Sequence, residues 1–155
     1  MHLQERIEAW LRGEEFDHVD DLVALGAEAV PVLIDLAGHA ADEMTRARAL
    51  EVLGRLGDPR AVPVLTGALN AESSLEKLTA ARALAAVSGS GAVEALAGLL
   101  DHPDPALAKV VVRSLASIGN ATALAALERA ENTPASEFLQ GEIVAAVQTI
   151  RERLA

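Results

Sequence analysis

The fold class predicted for this 155-residue chain is all-α: a helical solenoid built from a repeated pair of helices. Three observations predict it. Leucines recur 31 residues apart at Leu22, Leu53, Leu84 and Leu115. Three positions on, a second column reads Leu25, Leu56, Val87 and Ile118, and the next position reads Gly26, Gly57, Ser88 and Gly119. The composition is 51% apolar with only Trp10, Phe16 and Phe138 aromatic, so the core has to be built from Leu, Val, Ile and Ala. A fixed period of roughly 20–50 residues marks a repeat architecture, and Ala with Leu suits close helix–helix packing.

The elements follow in order within a single domain, residues 1–155. Residues 1–16 hold a capping helix near His2–Arg12, with Leu3, Ile7, Trp10 and Leu11 on one face and Glu5, Arg6, Glu8 and Arg12 elsewhere. The first repeat, 17–42, turns Leu22, Leu25, Val30 and Leu33 inward. In the second, 43–73, helix A runs from about Asp42 to Leu56, with Ala49, Leu50, Leu53 and Leu56 at helical spacing. Gly57 suits the left-handed residue that ends a helix. Asp58 is an N-cap with Pro59 at the first helical position, and helix B runs from Pro59 to about Leu69 with Val62, Leu65 and Leu69 inward.

The third repeat, 74–104, opens on Ser73 and Glu76 at capping-box spacing and buries Leu84, Val87, Val93, Leu96 and Leu100. The fourth, 105–135, opens on Asp104-Pro105 and buries Leu115, Ile118, Leu124 and Leu127. Thr133-Pro134 opens the last helix, whose capping part is 136–155. Phe138, Ile143, Val147, Ile150 and Leu154 face the core there, and Arg151, Glu152 and Arg153 face outward. No strand-type alternation competes. About ten helices result, and the polar outer faces of the end helices are those of caps.

Bulk properties narrow the function classes. With no cysteine, disulfides, thiol catalysis and cysteine metal sites are excluded. The N-terminus carries charges throughout, so no secretory signal is expected, and no stretch nears the roughly 18 apolar residues of a membrane span. A soluble cytoplasmic protein, with no membrane partner, is the expectation. The net charge is −10. Residues 1–42 hold ten acids against Arg6 and Arg12, a net of −8, leaving −2 for the rest. Nucleic acid is disfavoured as a partner, because phosphate binding rests on basic contacts. A basic protein surface suits the acidic end, Glu14, Glu15, Asp17, Asp20 and Asp21. The plainer reading, a solvated and solubilising end, takes precedence.

At Gly57–Leu69, GDPRAVPVLTGAL, the sequence resembles the HEAT repeat, in particular the short bacterial HEAT-like repeat first associated with phycobilisome lyases. Ala49-Leu50, Leu56-Gly57-Asp58, Ala61-Val62, Leu65 and Leu69 match that unit, and Val112 to Leu115 with Ile118-Gly119-Asn120 follows it. Ser88-Gly89-Ser90-Gly91 departs from it at the hairpin, and the basic residue of helix A, Arg46 and Lys77, becomes Ala108. The resemblance spans roughly Asp17 to Glu131. It implies a right-handed α-α superhelix of about four to five HEAT-like helix pairs, with the B helices lining the concave surface. It is specific for fold and not for activity.

The B-helix positions that the core leaves free are then the candidates for binding: Asp35, Pro63, Thr66, Gly67, Asn70, Glu94, Gly98, Asp101, Glu128 and Arg129. Glycine within a helix costs about 1 kcal/mol relative to alanine, so Gly67 and Gly98 at one repeat position imply close approach there. Either a partner packs on a small-residue floor or adjacent B helices crowd each other. Crowding is favoured, because helix packing alone can require small residues.

No catalytic, cofactor or metal residues are assigned. His2, His18, His39 and His102 are followed by Leu, Val, Ala and Pro, without the His-Glu pairs of HEAT-like metal hydroxylases. The basic, aromatic cleft of HEAT-like DNA glycosylases is missing too. The acidic end with His18 lacks the spacing and glycine of a calcium loop, and acids in a first helical turn already suit the helix dipole. Ser88-Gly89-Ser90-Gly91 lacks the lysine of a phosphate loop. The expected function is therefore a non-enzymatic scaffold or adaptor that docks a protein partner, on the B-helix face or the acidic end, and a monomer. The alternatives are a phycobilin lyase/isomerase-like enzyme subunit, which rests on the resemblance alone, and a self-associating structural protein.

Overall fold

The computed structural model describes residues 2–13, 18–87, 91–132 and 134–155, with 134–136 by backbone alone. Among them are ten α-helices, three 3-10 turns and no strand. The helices are α1 (Leu3–Arg12), α2 (Val19–Ala24), α3 (Val30–His39), α4 (Glu43–Leu56), α5 (Val62–Ala68), α6 (Ser74–Ala86), α7 (Ala92–Ala97), α8 (Pro105–Ile118), α9 (Ala121–Glu131) and α10 (Gln140–Leu154). The chain forms two compact units, Met1–Gly89 and Ser90–Ala155.

The 31-residue period is visible in the joints. Gly26, Gly57 and Gly119 all adopt the left-handed conformation, at φ 62°, 67° and 62°, where a Cβ would be strained. The A helices α4, α6 and α8 begin at Asp42, Ser73 and Asp104, also 31 apart. The side chains of these residues accept hydrogen bonds from the backbone N–H of Thr45, Glu76 and Ala106. Each satisfies a donor that the first helical turn leaves without a partner.

In the first unit α4 packs between α3 and α6, α5 packs on α6, and α1 on α4. Its core holds Ile7, Leu11, Leu22, Leu33, Leu50, Leu53, Leu65 and Leu84, all fully buried. Two arginines of α4 fasten the helix ends around it. Arg48 Nη1 donates to the carbonyls of Leu11 and Gly13, both at 2.7 Å, closing the C-terminus of α1. Arg46 Nη1 donates to Ala40 O at 2.7 Å, and its Nε to Glu76 Oε1 at 2.9 Å. In the second unit α8, α9 and α10 pack on one another with α7 on α8 and α9, around Leu96, Leu107, Leu115, Leu127, Ile143 and Ile150.

The inward columns hold where the repeat is regular, with Leu25, Leu56, Ile118 and Leu124 half-buried at its margins. Three expectations are corrected. Helix B of the second repeat does not start at Pro59: Asp58 caps a 3-10 turn, Pro59–Ala61, and the α-helix starts at Val62. The last helix starts at Gln140, after a 3-10 turn over Pro134–Leu139. That turn advances three residues per turn instead of 3.6, so Phe138 falls out of phase and is 56% exposed, while Leu139 is fully buried. Leu154, in the last turn of α10, is 51% exposed. Thr133 and Ser88–Ser90 lie outside the described residues.

Candidate functional site

In the second unit the B helices α7 and α9 shape the face that the sequence marks for binding. After α7 the chain continues in tight turns, with Gly98 N donating to Glu94 O at 3.2 Å, Leu99 N to Leu96 O at 2.9 Å and Leu100 N to Ala97 O at 3.2 Å. This extension faces α9 across an open groove of about 320 Å³ lined by Ala97, Gly98, Leu100, Asp101, Ala126, Arg129 and Ala130. Three of the expected residues, Gly98, Asp101 and Arg129, thus come together. The floor is small and apolar, and one carboxylate and one guanidinium supply the charge. Glu128 is not part of it: its Oε1 accepts from Arg151 Nη2 at 2.8 Å, tying α9 to α10. Glu94 is exposed on α7.

The remaining B-helix candidates belong to the first unit. Pro63 and Asn70 are exposed and Thr66 is half-buried. Asp35 is exposed beside His39, with Oδ1 and Nδ1 3.3 Å apart. Gly67 sits inside α5 in open space, where an added Cβ would meet nothing within 4 Å. At Gly98 the nearest atoms to such a Cβ are carbonyl oxygens of Ala95 and Glu94, at 3.6 and 3.8 Å. Crowding between adjacent B helices therefore does not account for either glycine; both lie on open surface.

Of the acidic end, Glu14, Glu15 and Asp17 lie outside the described residues. Asp20 is 99% exposed at its side chain and 3.8 Å from Arg55 Nη1. Asp21 Oδ2 lies 3.1 Å from His18 Nδ1. His18 in turn stacks on Trp10 at 5.2 Å between ring centroids, and the Arg6 guanidinium lies 5.0 Å from the Trp10 ring centre. Trp10 is half-buried and joins α1 to the start of α2; helical periodicity marks it only as core.

Among the described residues two carboxylates depart from their ordinary acidity, and both are structural. The Thr45 hydroxyl, 2.6 Å from Asp42, and the Thr45 N–H hold Asp42 below the usual carboxylate range. Arg60 does the same for Asp58 through its side chain and then its backbone N–H, and Asp58 in return raises Arg60. Neither lines the groove.

Among solved structures, the chain resembles one from the complex of CpcE and CpcF of phycocyanin lyase from Nostoc sp. PCC7120, with TM-score 0.75 and 18% identity over 92% of this chain and 96% of that one. It also resembles an engineered protein, with TM-score 0.54 and 20% identity over 96% of this chain and 47% of that one. At these identities the likeness is one of fold. No curated protein matches the chain in sequence. Residues 19–76 and 67–148 match the family of HEAT repeats, and with the periodic joints and stacked helix pairs described above the chain belongs to that family.

Proposed function

We propose that this chain is a non-enzymatic interaction module that docks a protein partner in the groove between α7 and α9. The observation that carries the reading is the meeting of Gly98, Asp101 and Arg129 in one groove. Its small floor admits a backbone or helix closely, and its two opposite charges fix orientation. The likeness to a structure of a two-subunit complex supports a chain that works alongside a second protein. Among the described residues no helix is long and apolar enough to cross a membrane.

The test is cross-linked capture from the source organism's lysate with the native chain, a Gly98→Gln variant that fills the groove, and a variant with Glu14, Glu15, Asp17, Asp20 and Asp21 changed to Lys. The expected result is a partner held by the native chain and the acidic-end variant and lost with Gly98→Gln. Loss with the acidic-end variant alone moves docking to the acidic end. Turnover of a substrate by the purified chain overturns the reading.

A second reading, a phycobilin lyase-like subunit, draws support from the fold of the phycocyanin lyase complex. It predicts that the chain, alone or paired, shifts the absorption spectrum of an added bilin, and an unchanged spectrum dismisses it.

A further inference from the structure

The outward faces of α4 and α6 carry an apolar strip that the fold does not use. Met44 and Leu75 are 49% and 39% exposed, and they hold the same place, 31 residues apart, in the first turns of the two helices. Two bonds across the helices set the register around them. Ser73 Oγ donates to Glu43 Oε1 at 2.6 Å, and Arg46 Nε to Glu76 Oε1 at 2.9 Å. Met44 and Leu75 therefore emerge at the same level of the pair. Exposed apolar side chains grouped in this way mark interaction surfaces more often than scattered ones do.

The face continues from there. Glu51 and Arg55 stand seven and eleven residues after Met44, and Thr79, Arg82 and Ala86 stand four, seven and eleven after Leu75, the spacings of one helix face. These five, with Gly54 and Ala83, line an open groove of about 290 Å³ between the helices. Its floor is low because α4 and α6 pass closely. A Cβ on Gly54 would lie 2.7 Å from the Ala83 Cβ, so no side chain rises between them. From Met44 to Arg55 the strip measures about 16 Å, or three helical turns. Its apolar end is Met44 with Leu75. Its far end carries two guanidinium groups, Arg55 and Arg82, and Arg55 is already met by two carboxylates, Glu51 at 3.7 Å and Asp20 at 3.8 Å. Arg82 makes no ion pair among the described residues, so the charge this end offers a partner is that of Arg82, on a chain whose net charge is −10.

We propose that this strip docks an amphipathic helix of a partner protein, about three turns long, with its apolar stripe on Met44, Leu75 and the Gly54–Ala83 floor and its acidic residues toward Arg55 and Arg82. Two parallel ridges over a shallow floor suit a helix laid in a groove, and the arginines select for acidic residues. The inference rests on the reading of the chain as an interaction module but not on the groove between α7 and α9.

The test selects from a phage-displayed library of fourteen-residue amphipathic helices against the full chain, then measures the winning peptide, fluorescein-labelled, by anisotropy. The expected winners carry an apolar stripe and Asp or Glu at one end. Met44→Asp with Leu75→Asp is expected to weaken binding by about tenfold or more. Arg82→Glu should weaken it less and reverse the preference toward a peptide with Lys in place of the acids. Gly98→Gln, in the other groove, should leave affinity unchanged, and circular dichroism confirms that each variant is folded. Winners with a basic end, an affinity indifferent to Met44→Asp with Leu75→Asp, or no winner at all would overturn the proposal, as would a native dimer that the same double change converts to monomer. A partner still lost from lysate with Gly98→Gln would then leave the proposed function standing without this second surface.

Discussion

Where α4 passes α6, a Cβ added to Gly54 would sit 2.7 Å from the Ala83 Cβ and 2.8 Å from its Cα; where the chain leaves α7 at Gly98, an added Cβ would meet nothing nearer than a carbonyl of its own preceding turn, at 3.6 Å. Both glycines lie beside grooves, yet one closes a helix contact and the other opens a surface. The difference teaches what a small residue is for in this fold. Gly54 is a packing residue whose missing side chain the neighbouring backbone occupies. Gly98 leaves space that no part of its own unit fills.

The largest effect should follow from Gly54→Ala. The added methyl meets the α6 backbone, which cannot rotate away as a side-chain tip could, and overpacking of this kind costs about 3 kcal/mol. For a domain of this size the melting temperature should fall by roughly 6–12 °C. Trp10, the single tryptophan, lies in the first unit and reports the transition by fluorescence. Ala83→Gly in the same chain removes the Cβ contact but not the 2.8 Å contact with the α6 backbone, and should recover only part of the loss. An unchanged melting temperature for Gly54→Ala alone would erase the contrast between the two glycines.

Next in size is Arg46→Ala. Glu76 is only 8% exposed at its side chain and relies on Arg46 at 2.9 Å. Removing one partner leaves a buried carboxylate without its counter-charge. Arg46 is 26% exposed, so the expected loss is about 2 kcal/mol, below the fully buried case. Urea unfolding checks it, and Arg46→Met with Glu76→Met should be less damaging than Arg46→Ala. Together with Gly54 this pair makes α4 and α6 the tightly held region of the chain.

These particulars show how far the chain could be read beforehand. The columns headed by Leu22 and Gly26 announced the helix pairs because core leucines and helix-ending glycines recur for the same physical reason in each repeat. Gly54 left no such trace: its column reads Val23, Gly54, Ala85 and Ala116, so its close approach to Ala83 belongs to one joint. Arg48 was equally hidden. Its carbonyl partners lie 35 and 37 residues away, and its counterparts Thr79 and Val110 cannot repeat the bonds. Phe138 misled because a 3-10 turn shifts the phase just before α10. Gly67 and Gly98 stood out as a column, but spacing alone cannot tell crowding from open surface. The groove of α7 and α9 needed the fold, since Asp101 and Arg129 are far apart along the chain.

A smaller effect separates the two regions by how their helices begin. Asp42 caps α4 with its side chain, whereas α7 starts at Gly91 without one. Asp42→Ala should cost about 1 kcal/mol at neutral pH. Because Thr45 lowers the folded-state pKa of Asp42, its contribution is fully present above the ordinary carboxylate value. It is lost as the pH falls through the depressed folded value. The gap between native chain and variant should therefore close on acidification from about pH 4 downward. A gap that does not narrow at all on acidification would mean that the cap acts through shape alone.

The smallest effect is the most informative about function. Gly67 lies in α5 and Gly98 has helical backbone angles, φ −63° and ψ −13°. Alanine fits both positions without strain and restricts the unfolded chain. Gly67→Ala should stabilise by about 0.5–1 kcal/mol and Gly98→Ala by about 0.5 kcal/mol. If α7 and α9 serve a partner, Gly98→Ala should raise the melting temperature and weaken capture of that partner together, because the added methyl stands on the groove floor. A stabilised chain that binds its partner as before would place the docking surface elsewhere. A destabilised one would show that the groove closes in solution around Gly98, making it a packing glycine like Gly54.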